Sequence, residues 1–274
     1  MSRRPAWWMT FLAILWPVTR WSAMATKIPV IGPVAAWLTR PLFTAPNFHV
    51  SYIPVNREIT GRGSSFLPRR IIQELVERSA HRVIIKRCTC RDSDKCREYP
   101  IEGACLLLGE GTESIDTRIA DHVGRDDAMA HVDKMLGLGL MPLTGRVRMD
   151  DFFWGVPNRG KMLTICFCCD CCCTILRSAR YFPADVAESL VRLRGVTVTV
   201  DGEKCVRCGT CVDACFMKAI TLDERTAIHD DGKCKGCGKC ATVCPHGAVG
   251  ISVDDTDAAA ADLTARIGRY VKVD

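Results

Sequence analysis

Residues 205–215 read CVRCGTCVDAC, and residues 234–244 read CKGCGKCATVC. Each stretch is C-x2-C-x2-C-x3-C, so eight cysteines repeat in one frame at an offset of 29 residues (234 minus 205). Three thiols at two-residue gaps wrap one corner of an iron–sulfide cube, and Gly209, Gly236 and Gly238 allow the backbone to turn tightly there. Amides in such turns point at the sulfides and offset the negative charge of the cluster. The fourth cysteine of each frame lies one helical turn further on and reaches the other cube. The spacing therefore predicts Cys205, Cys208, Cys211 and Cys244 around one [4Fe–4S] cluster and Cys234, Cys237, Cys240 and Cys215 around a second. A pair of zinc sites competes with this reading, but interleaved ligands suit two tetrahedral ions poorly.

The flanks support the repeat. VTVTV (196–200) and AVGISV (248–253) have the β-branched content of strands, and AITL (219–222) with TAIHD (226–230) reads as a central hairpin. Over residues 197–254 the chain resembles the bacterial two-cluster ferredoxins, including Pro245 after the last cysteine; Phe216 stands where the first motif usually has proline. The resemblance implies a (βαβ)2 module, two [4Fe–4S] clusters and one-electron transfer. Free bacterial ferredoxins are acidic, whereas residues 201–250 carry seven basic and seven acidic side chains. That balance suits a fixed wire within a larger protein.

Ten of the 18 cysteines lie outside the repeat. Cys88, Cys90, Cys96 and Cys105 fall in RCTCRDSDKCREYPIEGACLLLGEG (87–111). Cys166, Cys168, Cys169, Cys171, Cys172 and Cys173 fall in ICFCCDCCC (165–173). Thiols this close suit metals better than disulfides, which need defined Cα separations. A 274-residue chain also exceeds the usual disulfide-stapled secreted domain. The cysteine usage points to a reducing, cytoplasmic setting.

LPRRIIQELVERSA (67–80) and DDAMAHVDKMLGLGL (126–140) show helical periodicity, while RVIIK (82–86) and KMLTI (161–165) read as buried strands delivering Cys88 and Cys166. If both strands join one sheet, the two cysteine groups open at the same end. One further [4Fe–4S] cluster on Cys88, Cys90, Cys96 and Cys105, a second on the later block, a single shared cluster with spare thiols, and zinc all remain open. Arg91 reads as a surface or cap residue, with a role beside a cluster as the rarer alternative, and Asp170 as a solvated turn. CTCR (88–91), CFCCDCCC (166–173) and the ferredoxin motifs together resemble a family of multi-cysteine iron–sulfur proteins of the ferredoxin superfamily. That resemblance implies redox function and several clusters, without a substrate.

The N-terminal residues differ in character. WWMTFLAILWPV (7–18) is apolar but shorter than a membrane span, and Pro17 interrupts it. Five of the six tryptophans lie before residue 38, and residues 1–57 hold six basic and no acidic residues. Tryptophans at an interface, with Arg3, Arg4, Arg20, Lys27 and Arg40 beside anionic headgroups, predict peripheral contact with the inner membrane face. Docking on a partner, burial in the core, and an export signal ending near Ala23-Met24-Ala25 are the alternatives.

The resulting expectation is α+β: an apolar, basic segment (1–57), a small α/β cysteine-rich domain (58–180), a (βαβ)2 ferredoxin-like domain (197–254) and a tail helix (255–274). The chain passes electrons between the ferredoxin clusters and the cysteine-rich domain, with redox proteins as partners. A ferredoxin-fed reductase with a reactive cluster or thiol site is the alternative. The net charge of +6 comes without a nucleic-acid recognition motif, so no nucleic-acid partner is expected. Gly137-Leu-Gly139 closes a helix rather than opening one, so it is no dinucleotide fingerprint.

Overall fold

The computed structural model describes residues 4–54, 67–157 and 160–272. In chain order the elements are α1 (Trp7–Leu15), α2 (Pro17–Ala25), α3 (Gly32–Phe43), β1 (Phe48–Tyr52), α4 (Leu67–Arg78), β2 (Arg82–Ile85) and α5 (Thr89–Ser93). There follow β3 (Leu106–Leu108), β4 (Ala120–His122), α6 (Arg125–Gly137), β5 (Met141–Val147), α7 (Arg148–Trp154), β6 (Leu163–Cys168), α8 (Thr174–Ser178) and α9 (Ala184–Glu188). The last part holds β7 (Val196–Val200), α10 (Thr210–Ala214), β8 (Ile220–Leu222), β9 (Ala227–His229), α11 (Lys239–Val243), β10 (Val249–Val253) and α12 (Thr256–Gly268).

Six strands form one sheet in the order β1-β5-β6-β3-β2-β4, and each named pairing in it is antiparallel. The expected small α/β domain is thus corrected to α+β, because α/β architecture rests on parallel neighbours joined by crossovers. β2 and β6 do share one sheet and one direction, but β3 runs between them in reverse. The end of β2, the start of β3 and the end of β6 therefore lie together at one edge.

Period-2 alternation divides the sheet into two faces. Leu106, Leu108, Leu163 and Ile165 pack on Ile72 and Leu75 of α4 and Val132 of α6. Val83, Ile85 and Leu107 face the other way, onto Trp8, Met9 and Leu12 of α1. Since Ile165 and Phe167 belong to the first face, Cys166 and Cys168 fall on the second, beneath the N-terminal helices. The N-terminal residues are thus part of the molecule's core. α1 buries one side, and β1 pairs with β5 over five residues. The sequence boundary between 57 and 58 lies outside the described residues, as do Ser2 and Arg3.

The basic residues expected at lipid headgroups mostly turn inward. Arg4 donates to the Phe152 carbonyl and stacks on Trp8. Arg20 makes two hydrogen bonds to Asp94, at 2.7 and 3.0 Å. Arg40 pairs with Asp185. Trp7, Trp21 and Trp37 stay more than 60% exposed, together with Ile14, Val18, Val30 and Leu38. No helix of the described residues is long and apolar enough to cross a membrane.

In the last part, β7 pairs with β10 and β8 with β9, both antiparallel. Val198, Val249 and Ile251 join the same apolar cluster as α4, α6 and Leu263 of α12, so this module shares a core with the large sheet.

His131 of α6 is buried and donates from Nε2 to the Ala104 carbonyl at 3.0 Å. Burial lowers its pKa below the usual 6.5. Below that value the unfolded chain binds a proton that the folded chain resists, so stability is full above pH 6.5 and falls as pH drops through it. Denaturant midpoints under anaerobic conditions should show this slope in the parent and a flatter profile in His131→Gln. Identical profiles would remove His131 as the cause.

Candidate iron–sulfur and thiol sites

The repeat folds into two cages. Cys205, Cys208, Cys211 and Cys244 line one small cavity. Cys215, Cys234, Cys237 and Cys240 line another. Each cage thus takes three thiols from one motif and the fourth from the other, the interleaving expected from the spacing. Gly209, Gly236 and Gly238 have φ of +80°, +68° and +80°, so a side chain at these turns would be strained. Backbone amides aim at the sulfurs: Ala219 N–H reaches Cys215 Sγ at 3.2 Å, Ala248 N–H reaches Cys244 Sγ at 3.2 Å, and Gly236 N–H reaches Cys234 Sγ at 3.3 Å. Four thiolates around each cavity, with amides directed at sulfur, are the donor set a [4Fe–4S] cluster takes.

The two cages differ in setting. Cys208 is exposed, and Val206 beside it is 59% exposed, so the first cage faces solvent. The second is turned inward, and desolvation pushes the Cys237 and Cys240 thiols up to about 12. A bound iron would supply the positive charge that holds them as thiolates.

The ten remaining cysteines gather at the sheet edge, but not in the two sequence groups. Cys96 leaves the first block and joins Cys169, Cys171 and Cys172, with all four Sγ atoms within 4.8 Å of one another. Cys88, Cys90 and Cys105 meet Cys166, Cys168, Cys169 and Cys173 around a cavity of about 170 Å3, so Cys169 stands at the junction of the two groups. A single cluster on Cys88, Cys90, Cys96 and Cys105 does not match this grouping, because the loop after α5 carries Cys96 away from the cavity.

Within the cavity Cys105 and Cys166 Sγ atoms lie 3.2 Å apart. Cys90 is pushed up to about 12, first by its hydrogen bond with Cys173. Trp16 of the N-terminal segment donates from Nε1 to Cys90 Sγ at 3.2 Å, so this tryptophan roofs the thiols. Thr19 and Ser22 of α2, and Thr26 just after it, line the same roof. Arg91 is 1% exposed, donates to the Pro100 carbonyl at 2.5 Å and faces Cys88; it is a buried cation beside thiols, not a surface residue. Asp150, also in the lining, accepts from Thr164 Oγ1 at 2.7 Å, and burial raises its pKa to about 7.

Two residues to which the sequence assigned no functional role join the sites. Tyr52 of β1 is 1% exposed and its hydroxyl has no hydrogen-bond partner among the described residues. Burial, then the nearby Cys168, Cys173 and Cys237, push its pKa well above 10. Its ring lies 5.4 Å from that of Phe216, the residue that replaces the usual proline. Tyr52 thus stands between the inner ferredoxin cage and the cavity. The only sequence signal was its place in the alternating stretch FHVSY. Asp170, read as a solvated turn, pairs with Lys239 of α11 at 2.7 Å and ties the later cysteine block to the ferredoxin module.

The fold and sites define an iron–sulfur protein with a further cysteine-rich metal site. Residues 204–248 match the family model described as a 4Fe-4S dicluster domain. The match reaches neither cysteine block of the preceding domain, and no curated protein matches the chain.

Proposed function

We propose that this chain is an electron-transfer protein that carries two [4Fe–4S] clusters in its ferredoxin module and moves electrons to or from a redox site in the cysteine-lined cavity. Such clusters supply one-electron chemistry over a range of potentials set by hydrogen bonding and solvent exposure. The observation that carries the reading is the placement of Tyr52. Tyr52, Cys168 and Cys173 share one apolar cluster against which Cys237 and Phe216 pack. The exposed cage of Cys205, Cys208, Cys211 and Cys244 is where an outside redox protein reaches the module. The inner cage then hands over to the cavity across the Tyr52–Phe216 contact. Along that path Tyr52, Cys168 and Cys173 are buried, and Phe216 and Cys237 are partly buried.

Iron and acid-labile sulfide on anaerobically purified protein test the reading. About twelve irons per chain are expected, four for each [4Fe–4S] cluster, with the third in the cavity. Cys208→Ala and Cys237→Ala should each remove about four irons, and Cys90→Ser should remove the cavity's share. Full iron retention in Cys208→Ala or Cys237→Ala would sink the ligand assignment. About eight irons, with cavity thiols unchanged on reduction, would sink the transfer path.

A second reading, a ferredoxin-fed reductase, is favoured by the cavity itself. It offers three thiols more than a cube needs, and burial raises the pKa of Asp150 beside them to about 7. A spectrum of the cavity that changes on adding a disulfide or corrinoid substrate would favour it over simple transfer.

The exposed apolar side of α1 to α3 is assigned to an inner-membrane surface. Because Arg4, Arg20 and Arg40 are engaged by the protein, binding should depend on apolar area more than on lipid charge. Flotation with neutral and anionic vesicles should show similar binding; strict dependence on anionic lipid would contradict this.

A further inference from the structure

Two kinds of thiol cage stand side by side in this chain, and their sizes differ. In the ferredoxin cages no three sulfurs are mutually close. Among the described residues, Cys96, Cys169, Cys171 and Cys172 form the one group of three or more ligand atoms all within 4.8 Å of one another. Cys171 Sγ lies 3.5 Å from Cys96 Sγ and 3.5 Å from Cys172 Sγ. A zinc–thiolate bond of about 2.3 Å gives a tetrahedron with sulfur–sulfur edges of about 3.8 Å. A [4Fe–4S] cube holds its thiolates much further apart, because four irons and four sulfides stand between them. The ferredoxin cages provide the internal contrast: thiols meant for a cube are held open, and these four are held closed.

We infer that Cys96, Cys169, Cys171 and Cys172 form a mononuclear, tetrahedral all-thiolate site for a zinc-class divalent ion, which takes Cys169 from the wall of the cavity and leaves the other six cavity thiols to their own group. The chemistry of the donors agrees. Four thiolates and one divalent ion leave a net charge of −2, and the open cleft on this group carries Lys95, Arg97 and Arg177 against Asp94 and Glu98, with Arg177 paired to Asp94. All four ligands are protein atoms, so no coordination position is left for substrate, which is the pattern of a structural site.

Its place in the fold gives it a task. The loop carrying Cys96 and the loop carrying Cys169 to Cys172 are 73 residues apart in sequence (169 minus 96) and meet at this one point of the sheet edge. One ion there pins both loops, and with them the walls of the cavity: Cys88 and Cys90 precede one ligand, Cys168 and Cys173 bracket the other three, and Cys169 is itself part of the wall. Asp170, between two ligands, carries the restraint to Lys239 and so to the inner ferredoxin cage.

The test uses the full chain, expressed and purified without oxygen. Zinc and iron are counted, and the zinc K-edge spectrum is recorded. One zinc per chain is expected, with four sulfurs at about 2.3 Å and no iron neighbour. Cys171→Ser and Cys96→Ser should lose the zinc and keep the parent's iron. Cys171→His should retain zinc with one nitrogen in place of a sulfur, which separates loss of a ligand from loss of folding. Cys208→Ala should lose iron and keep zinc, excluding zinc bound adventitiously in a ferredoxin cage. Three results would overturn the site: a parent without zinc, zinc that persists in both serine variants, or an iron count that falls by about four in them. A Cys96–Cys171 disulfide in the anaerobic protein, seen as two missing free thiols, would do the same. Failure of the electron-transfer reading shows in cavity iron and in its response to reduction, so the two ideas fail on different measurements.

Discussion

Arg146→Met is expected to destabilise the protein by about 3–5 kcal/mol, because it leaves a buried carboxylate without its partner. Arg146 of β5 and Asp151 of α7 are each only 5% exposed. The guanidinium grips both carboxylate oxygens: Nη1 donates to Oδ1 at 2.7 Å, and Nη2 donates to Oδ2. Asp150 next to it is buried as well and already held up near pH 7, so a second uncompensated carboxylate would lie beside the first. α7 also brings Asp150, Phe153 and Trp154 to the cavity lining, so the variant should lose cavity iron before ferredoxin iron. Urea titration under anaerobic conditions measures the first effect and iron analysis the second. Arg146→Met combined with Asp151→Leu should recover most of the stability, because removing both charges removes the desolvation cost. A cost below about 1 kcal/mol for the single variant would mean that the pair is effectively solvated.

Gly145→Val should detach β1 from the sheet. Gly145 has a φ of +151°, and a Cβ there would lie 2.1 Å from the His49 carbonyl oxygen and 2.7 Å from Val50 Cα. Both obstacles are backbone of the paired strand, so no rotamer change relieves them. The strained φ costs about 1–3 kcal/mol, and the overpacking adds about 1–3 kcal/mol. Because β1 carries Tyr52, the variant should also slow reduction of the cavity by the ferredoxin module while leaving the ferredoxin cages loaded. Hydrogen exchange should show lost protection in residues 48–52 and 143–147. Unchanged protection there would contradict the pairing as the cause.

The ferredoxin cages were legible from residues alone. Ligand spacing within one motif is local, and the turn glycines and β-branched flanks repeat it independently. The strand RVII and the helices over residues 67–78 and 125–137 were equally readable, since hydrophobic periodicity is also a local property. The partition of the other ten cysteines was not readable. Sequence adjacency put Cys96 with Cys88 and Cys90, whereas the turn after α5 delivers it to Cys171 from a loop far along the chain. The division of labour within the N-terminal segment was equally hidden. Its tryptophans and arginines have the composition of an interfacial helix, and composition does not say that Trp16 is spent on Cys90 and Arg20 on Asp94 while Trp7, Trp21 and Trp37 stay exposed.

Sequence by itself determined that this chain binds [4Fe–4S] chemistry, because cluster ligation needs a few thiols at short, fixed intervals that a single stretch supplies. Only the tertiary structure decided which thiols of the other domain share a site, what roofs the cavity, and that Tyr52 stands between it and Cys237. Those relations depend on strand order and on loops that meet across the sheet. The antiparallel insertion of β3 between β2 and β6 sets them, and no local pattern encodes it.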